Sequence, residues 1–169
     1  LTALAVLYFL AGVAIKSKEN WSHVLRNSAL ALGTIISIGA LLTSKETGGW
    51  YALVIGLLFA AEMYLSRNGW FEIGIPVLFN IGAFLILRDL KIEEPVYHLL
   101  AYSLVWFGTD IISHIAFKDP RPLKWIVRGA GAIFTVVNYG LLFFGDDSFP
   151  AAVGFGVYTL LFLTISLLY

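Results

Sequence analysis

The chain has 169 residues, of which 59% are hydrophobic, 15% aromatic and only 13% charged. Soluble domains average about 45–50% apolar and about 25% charged residues, so this composition excludes an ordinary soluble domain and indicates an integral membrane protein. The basic and acidic residues cancel to a net charge of zero, so the protein has no net positive charge to attract nucleic acid. The chain has no cysteine, which excludes disulfides and thiolate catalysis.

Apolar runs long enough to cross a bilayer follow one another along the whole chain. A hydrocarbon core about 30 Å thick needs roughly 20 apolar residues per helix, or fewer where interfacial residues frame the ends. Seven runs qualify, in chain order Leu1–Ile15, Ser28–Thr43, Trp50–Ser66, Phe71–Leu87, Val96–Phe117, Trp125–Gly145 and Pro150–Leu168. The sequence therefore predicts an all-α polytopic transmembrane helix bundle, a single integral membrane domain over residues 1–169.

The charges sort by loop and predict the orientation. The loops after spans one, three and five hold Lys16, Lys18, Arg26, Arg67, Lys118, Arg121, Lys124 and Arg128. The opposite loops hold Lys45, Arg88 and Lys91 together with Glu46, Asp89, Glu93, Glu94, Asp146 and Asp147. By the positive-inside rule, the first group of loops is cytoplasmic, and the C-terminus lies on the same side.

A short pattern recurs in three even-numbered spans: a small polar residue, an apolar residue, Gly and then a bulky run. The three copies are Ser37–Leu42, Asn80–Leu85 and Asn138–Phe143. Each continues through an outer turn into a return helix, which predicts helical hairpin units over about residues 21–66, 70–117 and 124–169. Leu1–Ile15 is similar to the return half of a fourth hairpin, and the chain begins with Leu, so we expect an upstream helix before it.

These hairpins resemble the HdeD/DUF308 family of small bacterial multi-pass proteins. In the last hairpin the resemblance rests on Trp125, Arg128, Gly129, Gly140, Leu141, Leu142, Pro150, Gly154 and Tyr158. In the preceding hairpin it rests on Gly82, Pro95, Trp106, Gly108 and Asp110. The chain departs from the pattern at Phe162, where a second Gly is expected, and at Gly48 and Gly49, which form an outer turn without Pro. The resemblance implies three stacked hairpins, an inner-membrane location, an association with acid stress and no catalytic residues.

Ionisable side chains within a span are costly and mark either a functional path or a structural pair. Glu62 lies about 6 Å from the end of its span at Ser66, and Asp110 lies about 10 Å from Phe117. His114 follows Asp110 by one helical turn, so the two share a helix face. Such a pair can pass a proton, or it can be an internal salt bridge that holds one helix against its neighbour. The spacing of His and acidic residues predicts no metal site and no cofactor.

Asn80 and Asn138 occupy equivalent repeat positions within their spans, with Ser37 as the third member. Lipid offers no hydrogen-bond partner at that depth, so interhelical hydrogen bonds are one interpretation. The other interpretation is a polar stripe that continues to Asp110 and His114 as a substrate or proton path. Separately, Ala29, Gly33 and Ser37 recur every fourth residue, and Gly129 begins a similarly thin surface. These small residues predict close helix packing in spans two and six, within the chain or between copies.

Three functions remain open on this basis. The first is a non-enzymatic inner-membrane protein of HdeD-like type, in stress tolerance or as a subunit of a membrane complex. The second is a small transporter or proton-conducting protein that uses Asp110, His114, Glu62, Asn80 and Asn138. The third is an intramembrane lipid-modifying enzyme. The expected partners are the lipid bilayer and further copies or other subunits. A transporter predicts polar residues around a water-accessible cavity, whereas a structural bundle predicts side chains paired in a dry core.

Overall fold

The structure, a computed structural model, describes residues 1–15, 19–43, 47–116, 120–145 and 148–168, with the side chains of Glu19 and Ser148 excepted. Within these ranges the regular structure is helical, with no strand. Part of the predicted loop charge pattern lies outside the described residues, namely Lys16, Lys18, Lys45, Glu46, Lys118, Asp146 and Asp147.

Seven helices follow one another in the described ranges. They are α1 (Thr2–Ala14), α2 (Glu19–Thr43), α3 (Gly48–Ser66), α4 (Gly74–Asp89), α5 (Pro95–Ala116), α6 (Lys124–Phe144) and α7 (Ser148–Leu168). A 3₁₀ turn, Gly69–Ile73, leads into α4. Six helical segments are long and apolar enough to cross a membrane, whereas α1 has 13 residues. The predicted all-α multi-pass membrane bundle is confirmed, with one span shorter than a typical bilayer-crossing helix.

We call the end at which α1, α3 and α5 finish and α2, α4 and α6 begin the basic end. Here α2 begins at Glu19, well before the predicted start of the span at Ser28. The polar first turns of α2 are helical because they pack on α1: the Ser22 hydroxyl donates to the Gly12 carbonyl at 2.6 Å. Arg26 crosses Gly12 closely enough that an added Cβ there would lie 2.7 Å from Arg26 Cγ. Arg26 is therefore a helix residue and not a loop residue.

Helices α1 to α4 pack closely through small residues. A Cβ added at Gly33 would lie 2.6 Å from Cδ1 of Ile55 on α3. A Cβ added at Gly49 would lie 2.9 Å from the carbonyl oxygen of Gly82, so the backbones of α3 and α4 nearly touch there. Close backbone approach maximises van der Waals contact, which drives helix association where lipid removes the hydrophobic driving force.

Helices α5 to α7 pack instead through aromatic rings. Phe107, Leu142 and Tyr158 form the centre of their core. The ring of Tyr139 stacks on Phe155 at 5.4 Å between centroids and lies 4.9 Å from the ring of Tyr158. Rings at such distances add attraction beyond the apolar area they bury.

The most extensive helix contacts join α1 with α2, α3 with α4, and α5 with α6. These pairs are connected at the basic end, whereas the predicted hairpin units connect α2 with α3, α4 with α5, and α6 with α7 at the opposite end. Contacts within the predicted units are present in each case, although they are least extensive between α6 and α7. The division into those units stays a prediction.

Candidate functional site

Charged side chains from six different parts of the chain meet inside the bundle near the basic end. They form two groups, the Arg26–Glu62 pair and a network that we call the basic-end network. The basic-end network consists of Glu72 in the 3₁₀ turn, Asp110 on α5, Arg121 in the α5–α6 connection and Arg128 on α6. Each group contains as many basic as acidic side chains, so each is formally neutral.

The Arg26–Glu62 pair joins α2 to α3. Arg26 Nε lies 2.8 Å from Glu62 Oε2, and the two side chains are 7% and 1% exposed. Neither Arg26 Nε nor either Glu62 oxygen has a hydrogen bond among the described residues, so the contact is an ion pair without an aligned hydrogen bond. Arg26 Nη2 also lies 3.2 Å from His23 Nδ1 on the same helix.

In the basic-end network, Asp110 bridges two arginines. Arg121 Nη2 donates to Asp110 Oδ1 at 2.6 Å, and Arg128 Nε donates to Asp110 Oδ2 at 2.9 Å. Arg121 also donates from Nε to Glu72 Oε1 at 3.0 Å and makes a second bond from Nη2 to the same oxygen. Charge-assisted hydrogen bonds of this kind are about twice as strong as neutral ones. The network therefore ties α5 and α6 to the start of α4.

Local backbone structure presents Glu72 and Arg121 to each other. The Asn68 side chain accepts from the Trp70 amide at 3.1 Å and starts the 3₁₀ turn that carries Glu72. Pro120 and Pro122 flank Arg121 and restrict its backbone. The two connections touch at Gly69, where an added Cβ would lie 2.8 Å from the Pro120 carbonyl oxygen. Glycine is needed at this position because any side chain would push the connections apart.

The surroundings of Arg121, which lies between the membrane-spanning helices, favour its charged form. Burial by itself lowers the pKa of the guanidinium, but the hydrogen bonds that it donates to Glu72 and Asp110, together with charge attraction to both, outweigh burial and raise that pKa above its ordinary value. The guanidinium therefore stays charged at physiological pH. Glu72 Oε2 has no hydrogen bond among the described residues, so one acceptor position in the network is open.

A second polar group, which we call the hydroxyl–amide cluster, joins α5, α6 and α7 in the other half of the bundle. Asn138 Nδ2 donates to Tyr158 Oη at 2.8 Å, and Tyr158 Oη lies 2.9 Å from Ser103 Oγ. Because the Ser103 hydroxyl donates to the Leu100 carbonyl, the Tyr158 hydroxyl donates to Ser103. All three side chains are fully buried.

Asn80 and His114 are the remaining polar residues of the predicted path. Asn80 is half-buried on α4, and its Oδ1 is buried without a hydrogen bond in the described part of the chain. His114 is exposed on α5, whereas Asp110, one turn earlier, is buried and bonded to arginines. The suggested proton-passing role of Asp110 and His114 stays a prediction.

The small residues predicted for packing differ in their surroundings. Ala29 and Ser37 are fully buried, and the Ser37 hydroxyl donates to the Gly33 carbonyl at 2.9 Å within α2. Gly33 contacts Ile55 across the α2–α3 interface. A Cβ added at Gly129 would meet no described atom within 4 Å, so the surface of α6 is open there.

A groove of about 400 Å³ lies between α3, α4 and α5, and no residue of the two charged groups is among those that line it. Its walls are mainly apolar, with Leu57, Phe79, Leu104 and Ile112 among the lining residues. Met63 and Tyr64 also line it, whereas Glu62 pairs with Arg26 of α2 on another side of α3. The groove suits an apolar guest and not an ion.

Four members of the charged groups were not singled out as site residues by sequence reasoning: Arg26, Glu72, Arg121 and Arg128. The three arginines belong to the basic loop pattern, which predicts the orientation of the protein in the membrane and does not indicate a site. A local signal for Glu72 exists, since it is an acidic residue at the start of an apolar run on the basic side. No family model and no solved structure matches the chain.

Proposed function

We propose that this chain is a non-enzymatic inner-membrane protein of HdeD-like type, acting in stress tolerance or as a subunit of a membrane complex. One observation carries this proposal: Glu62 and Asp110, the acidic side chains buried in the spans, face guanidinium groups from other elements. In this interpretation the charges hold helices together and do not carry a substrate or a proton.

The burial of these groups favours the structural function over transport. A proton or ion path needs polar groups along a water-accessible cavity. The side chains of Glu62 and Asp110 are only 1% and 3% exposed. The roughly 400 Å³ groove is lined mainly by apolar side chains and lies on another side of α3 from Glu62. The hydroxyl–amide cluster is likewise joined side chain to side chain through Tyr158 Oη, while Asn138 Oδ1 has no hydrogen bond among the described residues.

The finer parts of the proposal rest on the sequence pattern. The recurring hairpin motif supports the HdeD-like type, and the basic loops support a cytoplasmic location for the basic end. A subunit role is supported by α7, whose most apolar stretch is 17% buried, the lowest share among the six spanning segments. Much of its surface therefore faces either lipid or another chain.

Proton flux in liposomes tests the proposal. Purified protein is reconstituted as wild type, Asp110→Asn, Glu62→Gln and the matched control Asp89→Asn, which changes a more exposed carboxylate at the opposite end. We expect no flux above protein-free liposomes from about pH 5 to about pH 8. Melting temperatures fall for the first two variants only. Flux that is present in wild type and lost in Asp110→Asn would replace the structural function by transport.

A second candidate is an intramembrane lipid-modifying enzyme. It is favoured by the carboxylate oxygens of Glu62 and Glu72 that have no hydrogen bond among the described residues, because such oxygens can accept a proton in general base catalysis. The test is incubation of the protein with phospholipids and lysophospholipids, followed by mass spectrometry of the lipids. Turnover that is lost in Glu62→Gln and kept in Asp89→Asn would establish this function. An unchanged lipid spectrum would count against it.

A further inference from the structure

The groove between α3, α4 and α5 has the length of a single leaflet. Along α5 its lining runs from Leu104 to Ala116, which corresponds to about 18 Å of helix. Half of a hydrocarbon core about 30 Å thick is roughly 15 Å. On α3 the lining runs from Leu57 to Tyr64, again toward the end of the helix. The lining of the groove therefore reaches from the basic end of these helices to about the middle of α5.

A basic side chain stands at the mouth of this groove. Arg67 follows the last residue of α3, is exposed, and lies with Cζ 4.9 Å from the centroid of the Tyr64 ring. Tyr64 is itself part of the groove wall. Stacking on this ring positions the guanidinium at the level where lipid headgroups begin. Guanidinium groups bind phosphate oxygens through paired hydrogen bonds, so the mouth suits an anionic headgroup.

We propose that the groove binds one acyl chain of an anionic phospholipid from the leaflet at the basic end, with the headgroup phosphate at Arg67. The groove is too small for a helix of a second copy, since a helix with its side chains is about 10–12 Å wide. Its volume of about 400 Å³ lies within the range of small-molecule sites. This lipid site does not depend on the proposed structural function.

Two substitutions fill the groove. Gly108 lines it, and a Cβ added there would meet no described atom within 4 Å, so Gly108→Leu projects into free space. Ala60→Leu fills the groove from α3 and serves as the second variant should Gly108→Leu fail to fold. The matched control is Gly129→Leu, because Gly129 on α6 is equally open and does not line the groove. Arg67→Gln removes the guanidinium proposed to bind the headgroup and leaves the residues that line the groove unchanged.

The experiment is native mass spectrometry of each variant released from nanodiscs of equal parts phosphatidylglycerol and phosphatidylethanolamine. We expect wild type and Gly129→Leu to retain one phosphatidylglycerol, and Gly108→Leu and Ala60→Leu to lose it. Arg67→Gln reduces the preference for phosphatidylglycerol by about fivefold, the effect of one basic residue at a membrane surface.

Two outcomes would overturn the lipid site. Equal lipid retention by the groove-filling variants and by Gly129→Leu would show that retained lipid lies elsewhere. A dimer that is present in wild type and lost in Gly108→Leu would show that a second copy occupies the groove. Folding of every variant is checked by its melting temperature, so that loss of lipid is not confused with loss of structure.

Discussion

The two halves of the bundle pair their buried polar groups between helices with different kinds of side chain. Toward the basic end, buried charges pair in the Arg26–Glu62 pair and the basic-end network. In the other half, the neutral hydroxyl–amide cluster joins α5, α6 and α7. The charged half includes Arg121 from a connection between helices, whereas the neutral half is built from helix residues alone. Charges thus occur near the membrane edge, where helices and one connection supply the partners, and the neutral groups occur deeper, where only helices do.

This difference has a physical basis. A charge within hydrocarbon costs far more than a hydroxyl or amide, and the cost falls near the membrane edge. Asp110 lies about 9 Å from the end of α5 at Ala116. Tyr158 lies about 15 Å from either end of α7, at the centre of that helix. If the comparison is right, substitutions at the basic end have larger effects than substitutions in the hydroxyl–amide cluster.

The largest loss in the free energy of unfolding is expected for Asp110→Asn. The substitution leaves Arg121 and Arg128 facing one acidic partner in place of two, and breaking a buried pair costs roughly 3–5 kcal/mol. Adding Arg128→Gln restores the charge balance and recovers part of this loss. The free energy of unfolding in detergent micelles checks both variants, with Asp89→Asn as control. A loss below about 1 kcal/mol, the level of an exposed pair, would contradict a structural network.

A smaller loss, about 2–3 kcal/mol, is expected for Arg26→Gln or Glu62→Gln, because this pair lacks an aligned hydrogen bond. The double variant Arg26→Met, Glu62→Met removes both charges together and is expected to unfold close to wild type, since well-packed apolar side chains often replace a buried pair without loss. The same unfolding measurement applies. A double variant that is less stable than either single variant would refute the pairing.

In the hydroxyl–amide cluster, Tyr158→Phe removes the hydroxyl that Asn138 and Ser103 share. Interhelical hydrogen bonds in membranes average about 0.6 kcal/mol and reach about 1.7 kcal/mol, so we expect a loss of about 1 kcal/mol. Tyr139→Phe in the same aromatic stack is the matched control. A loss as large as that of Asp110→Asn would remove the distinction between the two halves.

The smallest change is expected when the pH is raised, because alkaline pH leaves the contribution of Arg121 to the free energy of unfolding nearly unchanged. The folded-state pKa of Arg121 is raised above its ordinary value, so its contribution to stability is complete below that ordinary value and is lost only as the pH rises through the folded-state pKa. The difference in unfolding free energy between wild type and Arg121→Gln therefore stays constant from about pH 7 to about pH 10. A difference that shrinks over this range would mean that the guanidinium is not held by Glu72 and Asp110.

Much of the helical architecture could be predicted from the sequence, because run length and hydropathy alone decide whether a segment can cross a bilayer. The start of α2 could not be predicted from the sequence. Residues 20 to 27 are polar by composition, and they are helical in the structure because Ser22 and Arg26 pack on Gly12 of α1. Asn138 donates a hydrogen bond across helices to Tyr158, and no local sequence signal pointed to Tyr158 as the acceptor.

The sequence by itself determined the class of protein, the all-α multi-pass bundle and the presence of acidic residues inside spans. Only the tertiary structure decided which charges meet. Arg121 and Glu72 are 49 residues apart in the chain, and Asp110 and Arg128 are 18 apart. No local periodicity reports contacts over such separations, because they depend on which helices pack side by side and on how the connections at the basic end fold against one another.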